Sequence, residues 1–144
     1  MSGPSPSAVF SLLRSQLTVH PHVPTSSFAG QTVIVTGANG GLGREAAKLI
    51  VQLGAQRVIL AVRTVSKGEA AREYIAQKTG RKDGVEVWEL DLSSFASVRA
   101  FVERAKQLAR LDAVIENAGV WPTEARTAEG HEYVSPNHDS AVCF

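Results

Sequence analysis

The sequence predicts an α/β fold: an incomplete, doubly wound parallel sheet in the order 3-2-1-4. Three observations predict it. Apolar, β-branched runs at residues 31–35, 57–62 and 111–117 are joined by a strand-like alternation at 84–90. Segments of helical length and period separate these runs at 42–53, 65–79 and 94–109. The first run opens directly into a glycine-rich turn, Thr36-Gly37-Ala38-Asn39-Gly40-Gly41-Leu42-Gly43, which leads into a helix. Strict alternation of strand and helix requires parallel pairing with right-handed crossovers and helices on both faces of the sheet.

Residues 1–27 precede this pattern and form an N-terminal extension rich in Ser and Pro. Phe10, Leu13 and Leu17 recur there at helical spacing, so one or two amphipathic turns are expected. The first strand, at 32–36, is followed by a helix over 42–53 that Gly54 is placed to end. The second strand, at 57–62, is continuously apolar. The second helix, at 65–79, is closed by Gly80. The third strand reaches Asp91, and Ser93 or Ser94 can cap the helix over 94–109. That helix carries Phe95, Val98, Phe101, Val102, Ala105 and Leu108 on one side. The fourth strand, at 111–117, ends in Asn117. The nucleotide-binding part therefore spans 28–121. Residues 122–144, with Pro122, Gly130 and Pro136, are expected to be an irregular tail with no fifth strand.

Composition narrows the functional classes. The 144 residues are 44% hydrophobic and 20% charged, as in ordinary globular domains. A net charge of +1 gives no reason to expect nucleic acid or an anionic membrane as partner. A single cysteine, Cys143, excludes an intramolecular disulfide and a cysteine zinc cluster. No apolar run approaches the roughly 20 residues of a membrane span. The stretch 8–13 is too short and polar for a secretory signal, so a cytoplasmic protein is the expectation. The four histidines, His20, His22, His131 and His138, have no metal-ligand spacing on a firm element, and no metal is expected.

The chemistry gathers at the strand ends. A strand, a glycine turn and a helix together offer free backbone N–H groups and a helix N-terminus to a diphosphate. Gly37 allows the tight turn, Gly41 lets the backbone approach phosphate, and Gly43 lets the helix pack closely on the strand. Arg63 follows the second strand, where NAD-binding domains place an acid for the ribose 2′-hydroxyl. An arginine there suits a 2′-phosphate, and Lys67 can add a second positive charge. NADP is therefore expected over NAD. Asp91 and Leu92 follow the third strand, and Asn117-Ala118-Gly119 the fourth. In an open α/β sheet all of these positions lie at the ligand-binding edge.

The spacing T-G-x-x-x-G-x-G resembles that of the short-chain dehydrogenase/reductase family, and the resemblance extends over about residues 28–134. Within that family the closer likeness is to retinol-dehydrogenase-like and fungal secondary-metabolism reductases. Val62-Arg63, residues 67–70, 89–93 and 111–119 carry it. The resemblance implies a Rossmann-like fold and an NADP-dependent carbonyl/alcohol oxidoreductase by ancestry. It implies that Gly37, Asn39, Gly41, Leu42 and Gly43 surround the cofactor diphosphate and that Asp91 accepts from the adenine amino group beside Leu92. It also implies that Asn117, Ala118 and Gly119 line the nicotinamide-ribose side. Glu116 departs from the second asparagine often found in the family.

The family's catalytic Ser and Y-x-x-x-K are expected after the fourth strand, and none is found there. A literal Y-x-x-x-K, Tyr74 to Lys78, falls in the second helix, on the wrong side of Asp91, and reads as an amphipathic i,i+4 pair. Asn137 resembles the family's helical asparagine, but Pro136 precedes it and no apolar helix surrounds it, so 134–144 read as a non-family tail. No residue of this chain is therefore assigned as catalytic. Two readings follow. The first is an oxidoreductase by family that would act on a small carbonyl or alcohol in a longer form. The second is an inactive piece that holds only a nicotinamide nucleotide. Self-association through an exposed fourth strand is a further expectation.

Overall fold

The structure is a computed structural model and describes residues 7, 10, 14, 25–119, 126–128 and 131–134. Its centre is a four-stranded parallel sheet in the order β3-β2-β1-β4. The strands are β1 (Thr32–Thr36), β2 (Arg57–Val62), β3 (Val85–Glu89) and β4 (Ala113–Ile115). The helices α1 (Gly41–Gln52), α2 (Val65–Thr79) and α3 (Phe95–Ala105) connect them in turn. Val33 to Val35 of β1 pair with Ala113 to Ile115 on one side, and β1 pairs along its whole length with β2 on the other.

The unbroken apolar runs follow from coverage of both sheet faces. All five residues of β1 are buried, and so are Val58 to Val62 of β2. On one face Val33, Val35, Val58, Leu60 and Val62 meet Ala47, Ile50 and Val51 of α1 and Ala71 and Ile75 of α2. On the other, Ile34, Ile59, Ala61 and Trp88 pack under Val98, Phe101 and Ala105 of α3. Trp88 meets Phe101 edge to face at 5.7 Å, and the Arg104 guanidinium lies 4.0 Å above the Trp88 ring. The two faces are unequally covered. No residue of α3 is fully buried, and Val114, which shares the face of Ile34, is 48% exposed.

Side chains finish what the backbone ladder leaves open. Asp112 Oδ2 accepts the Thr32 N–H at 2.8 Å while the Arg110 guanidinium grips both carboxyl oxygens. Arg81 Nη1 donates to the carbonyls of Ala55 at 2.7 Å and Val51 at 3.4 Å, capping the carboxyl end of α1 with a cation.

Most expected elements are present, with differences of known cause. Ser94, rather than Ser93, caps α3, accepting from Ser97 N–H at 3.4 Å. That helix ends at Ala105 instead of 109 because Gln107 and Leu108 bond back by three residues, a tighter turn than the α-helix. β4 is shorter than 111–117: Asp112 bonds Thr32 through both its N–H and its carboxylate at one end, and Asn117 bonds Thr36 through its side chain at the other. The tail is not irregular throughout. β5 (Arg126–Ala128) and β6 (His131–Val134) form an antiparallel pair separate from the parallel sheet. Two residues ending in Gly130 separate these β-prone segments, the spacing of a hairpin. Of the expected N-terminal turns, residues 7, 10 and 14 are helical, whereas Leu13 and Leu17 lie outside the described residues, as do Asn137 and Cys143.

The Asp112 bridge makes a pH-dependent contribution. The hydrogen bond from Arg110, followed by that from Thr32 N–H, holds the Asp112 carboxyl below its ordinary value. A depressed folded-state pKa stabilises above the unfolded-state value, and the contribution is lost as pH falls through the folded one. Asp112→Asn should therefore lower stability at neutrality and flatten the acid limb below about pH 4, so that the gap between the two proteins narrows as pH falls. Melting temperatures between pH 3 and 7 for the two proteins check this.

Candidate functional site

The carboxyl ends of all four parallel strands open on one cavity of about 250 Å³. Thr36, Gly37 and Asn39 line it from β1, Ala61, Arg63, Thr64 and Lys67 from β2 and the start of α2, Leu90, Asp91 and Leu92 from β3, and Asn117, Ala118 and Gly119 from β4. It lies where the chain reverses its direction of winding, between β1 and β4. That is where the sheet ends leave a crevice between the helices of opposite faces.

The glycine turn is built by close approach. Gly37 has φ +66°, and a Cβ there would lie 2.9 Å from Ala118 Cα. A Cβ on Gly43 would lie 2.8 Å from the Gly37 carbonyl oxygen and closer still to Asn117 Nδ2. Gly41, at φ +53°, faces open space within 4 Å. The first turn of α1 has no side-chain cap and no acidic residue, so its orphan N–H groups are left for an anion.

Thr36 joins the two strands that flank the crevice. Its Oγ1 accepts the N–H groups of Asn117 and Ala118, each at 3.0 Å, and donates to the Ile115 carbonyl at 3.4 Å. Asn117 returns the bond, its Nδ2 donating to the Thr36 carbonyl at 3.0 Å. Across the cavity Asp91 Oδ1 accepts from Ser93 Oγ at 2.6 Å and Ser93 N at 2.9 Å. These two bonds, the hydroxyl first, hold the Asp91 carboxyl below its usual range, and the nearby Arg63 charge adds to the effect. Arg63 and Lys67 are exposed and make no ion pair with another described residue.

Nine of the expected site residues thus line the cavity: Gly37, Asn39, Arg63, Lys67, Asp91, Leu92, Asn117, Ala118 and Gly119. Gly41, Leu42 and Gly43 stand beside it at the head of α1; Gly43 is buried against Gly37 and Asn117, and the Leu42 side chain is 83% exposed. Thr36 and Thr64 also belong to the lining. Their signal is position alone, the residue before Gly37 and the residue after Arg63. Tyr74 and Lys78 are absent from the lining. Tyr74 Oη donates to Glu45 Oε1 at 3.0 Å, and its ring lies between Arg44 at 3.9 Å and Lys78 at 5.9 Å, a packing contact between α1 and α2.

A crevice at the winding switch, lined by a glycine turn, a helix N-terminus and unpaired cations, defines a dinucleotide-binding α/β domain. Residues 31–139 match the family model described as short chain dehydrogenase, and the chain belongs to that family. The match continues past residue 121, where the β/α alternation stops. The chain is 45% identical over 125 residues to the short-chain dehydrogenase anuD of Penicillium roqueforti, covering 87% of this chain and 32% of that protein. Among solved structures, menthone neomenthol reductase from Mentha piperita superposes with a TM-score of 0.58 at 36% identity, over 64% of this chain and 33% of the other. A short chain dehydrogenase of Escherichia coli CFT073 complexed with NADPH gives 0.58 at 33% identity, over 67% and 40%. The chain spans about a third of the length of the curated relatives it matches.

Thr36→Val should leave the Ala118 N–H without its acceptor at the crevice, at about 1–3 kcal/mol for an unsatisfied group, while the Asn117 N–H keeps the Ile115 carbonyl; Thr36→Ser should restore most of the loss. Urea unfolding midpoints of the three proteins measure it.

Proposed function

We propose that this chain is the nucleotide-binding part of an NADP-dependent carbonyl/alcohol oxidoreductase of secondary metabolism, and that it holds the adenosine 2′-phosphate half of the cofactor. The observation that carries the cofactor choice is the pair Arg63 and Lys67. Both line the cavity at the exit of β2, and neither is engaged in an ion pair with another described residue. No carboxylate occupies the end of that strand, where an acid would select the 2′-hydroxyl. Two free cations beside a cavity favour a dianionic phosphate through charge-assisted hydrogen bonds, and the planar guanidinium can make two at once.

The remaining roles follow from position. The amides of the turn from Gly37 to Gly43 and the head of α1 receive the diphosphate, with Asn39 and Leu42 flanking it. Asp91 and Leu92 take the adenine. Asn117, Ala118 and Gly119 border the nicotinamide ribose. Such a cofactor, when bound, supplies hydride to a carbonyl carbon. The contribution of these residues is to bind and orient it. The match to menthone neomenthol reductase supports a small carbonyl substrate for the whole protein.

Calorimetric titration with 2′,5′-ADP and 5′-AMP tests the cofactor choice. The bisphosphate should bind about tenfold or more tightly, and Arg63→Asp should abolish or reverse that preference, since a charge-assisted hydrogen bond contributes roughly 1.5–3 kcal/mol. Equal affinities in the parent protein would refute the NADP assignment.

A second reading concerns activity. Tyr74 is tied to Glu45 away from the cavity, and no other Y-x-x-x-K stands in the chain. This chain alone should therefore bind nucleotide without transferring hydride. No NADPH oxidation is expected with a panel of ketones and aldehydes, and Tyr74→Phe should change nothing. Turnover that disappears in Tyr74→Phe would overturn the reading.

A further inference from the structure

We propose that Ser93 is a positioning residue for Asp91 and thereby sets the preference of this cavity for a 6-amino purine over a 6-oxo purine. The inference rests on the nucleotide-binding reading above and adds to it a residue outside the cavity lining.

Asp91 lines the cavity and is fixed from three directions. Its Oδ1 takes two donors from one residue, Ser93 Oγ at 2.6 Å and Ser93 N at 2.9 Å. Its own N–H donates to Ser97 Oγ at 2.9 Å. Its carbonyl accepts the Ser94 N–H at 3.1 Å, and Ser94 in turn caps α3. The backbone of Asp91 is therefore held by the start of α3, and its carboxylate by Ser93 alone among the contacts named here.

The chemistry follows from what a carboxylate can do. Ionised, it only accepts hydrogen bonds; protonated, it can also donate. The exocyclic amine of adenine is a donor, and the 6-oxo group of hypoxanthine is an acceptor. An Asp91 kept ionised and in one rotamer matches the first and repels the second. The Ser93 hydroxyl does both, because donation to Oδ1 stabilises the charged form and restrains rotation about χ2. Arg63, at the end of the neighbouring strand, favours the same charged form. Without the hydroxyl, one backbone donor remains on Oδ1. The carboxylate can then turn away from the position that meets an amino group, and the preference that depends on its placement falls.

Discrimination of this kind is a ratio of affinities and separates positioning from support. If Ser93 only steadied the start of α3, removing it would weaken every ligand of the cavity alike. The test is titration of the chain with 2′,5′-ADP and with inosine 2′,5′-bisphosphate, which differ only in the purine. The parent should prefer the adenine compound by about tenfold, the range expected where a charged acceptor loses its donor and faces another acceptor. Ser93→Ala should cut that ratio by about fivefold, Ser93→Thr should keep it within about twofold, and Asp91→Asn should remove it, since an amide can face either purine. Circular dichroism confirms that each variant is folded, and if Ser93→Ala does not fold, Ser93→Gly and Ser93→Cys give the same comparison. An unchanged ratio in a folded Ser93→Ala protein that still binds 2′,5′-ADP overturns this inference alone. Failure of the parent to bind 2′,5′-ADP overturns it together with the nucleotide-binding reading.

Discussion

The parallel sheet must bring two strand ends together at the point where its winding reverses, and one hydroxyl closes that junction. Thr36 Oγ1 is the shared acceptor for two consecutive N–H groups leaving β4, and Asn117 answers through its side-chain amide. Two backbones then pass within touching distance, with Gly37 against Ala118 and Gly43 against Gly37 and Asn117. Any side chain at either glycine would separate them. The crevice therefore owes its shape to the absence of two Cβ atoms and the presence of one oxygen. The cavity residues of β2 and β3 take their places because their strands are registered on β1 directly or through β2.

Charge is arranged around this junction in two layers. Ion pairs that involve Arg57, Arg72, Lys106 and Arg110 bind nearby acids on the outer surface. On the rim of the cavity, Arg63 and Lys67 have no such partner among the described residues, while Asp91 is held by Ser93. Holding Asp91 with neutral donors keeps an acid and a base on one cavity without letting them cancel. A site so arranged offers an acceptor at one end and a field for anions at the other.

Much of this was legible in the sequence, because its signals are local. A continuous apolar run reports a strand covered on both faces, and strict β/α alternation fixes the order of the sheet. The glycine spacing locates the turn, and residues at strand ends fall on the cavity by topology alone. What escaped depends on partners distant in sequence. Thr36 matters because Asn117 and Ala118 lie 81 and 82 residues away. The side-chain bonds of Asp112 and Asn117 at the two ends of β4 likewise reach residues about 80 positions away. Arg81 gives no hint in its own neighbourhood that it will cap a helix ending some 30 residues earlier. The pair β5 and β6 was hidden for the opposite reason: its strands are short, and proline-containing, polar surroundings masked their β-prone residues.

The Arg81 cap leaves α1 satisfied at only one end. Arg81 meets the Val51 carbonyl at the helix end and the Ala55 carbonyl just beyond it, whereas the opening amides have no side chain to donate to. The hydrogen-bond inventory of that helix is thus completed from outside. An anion settling on its head would not compete with an existing contact, so little of the interaction is spent on displacement. Whatever order an anion brings to this helix is therefore added at its opening turn, where the backbone donors are open.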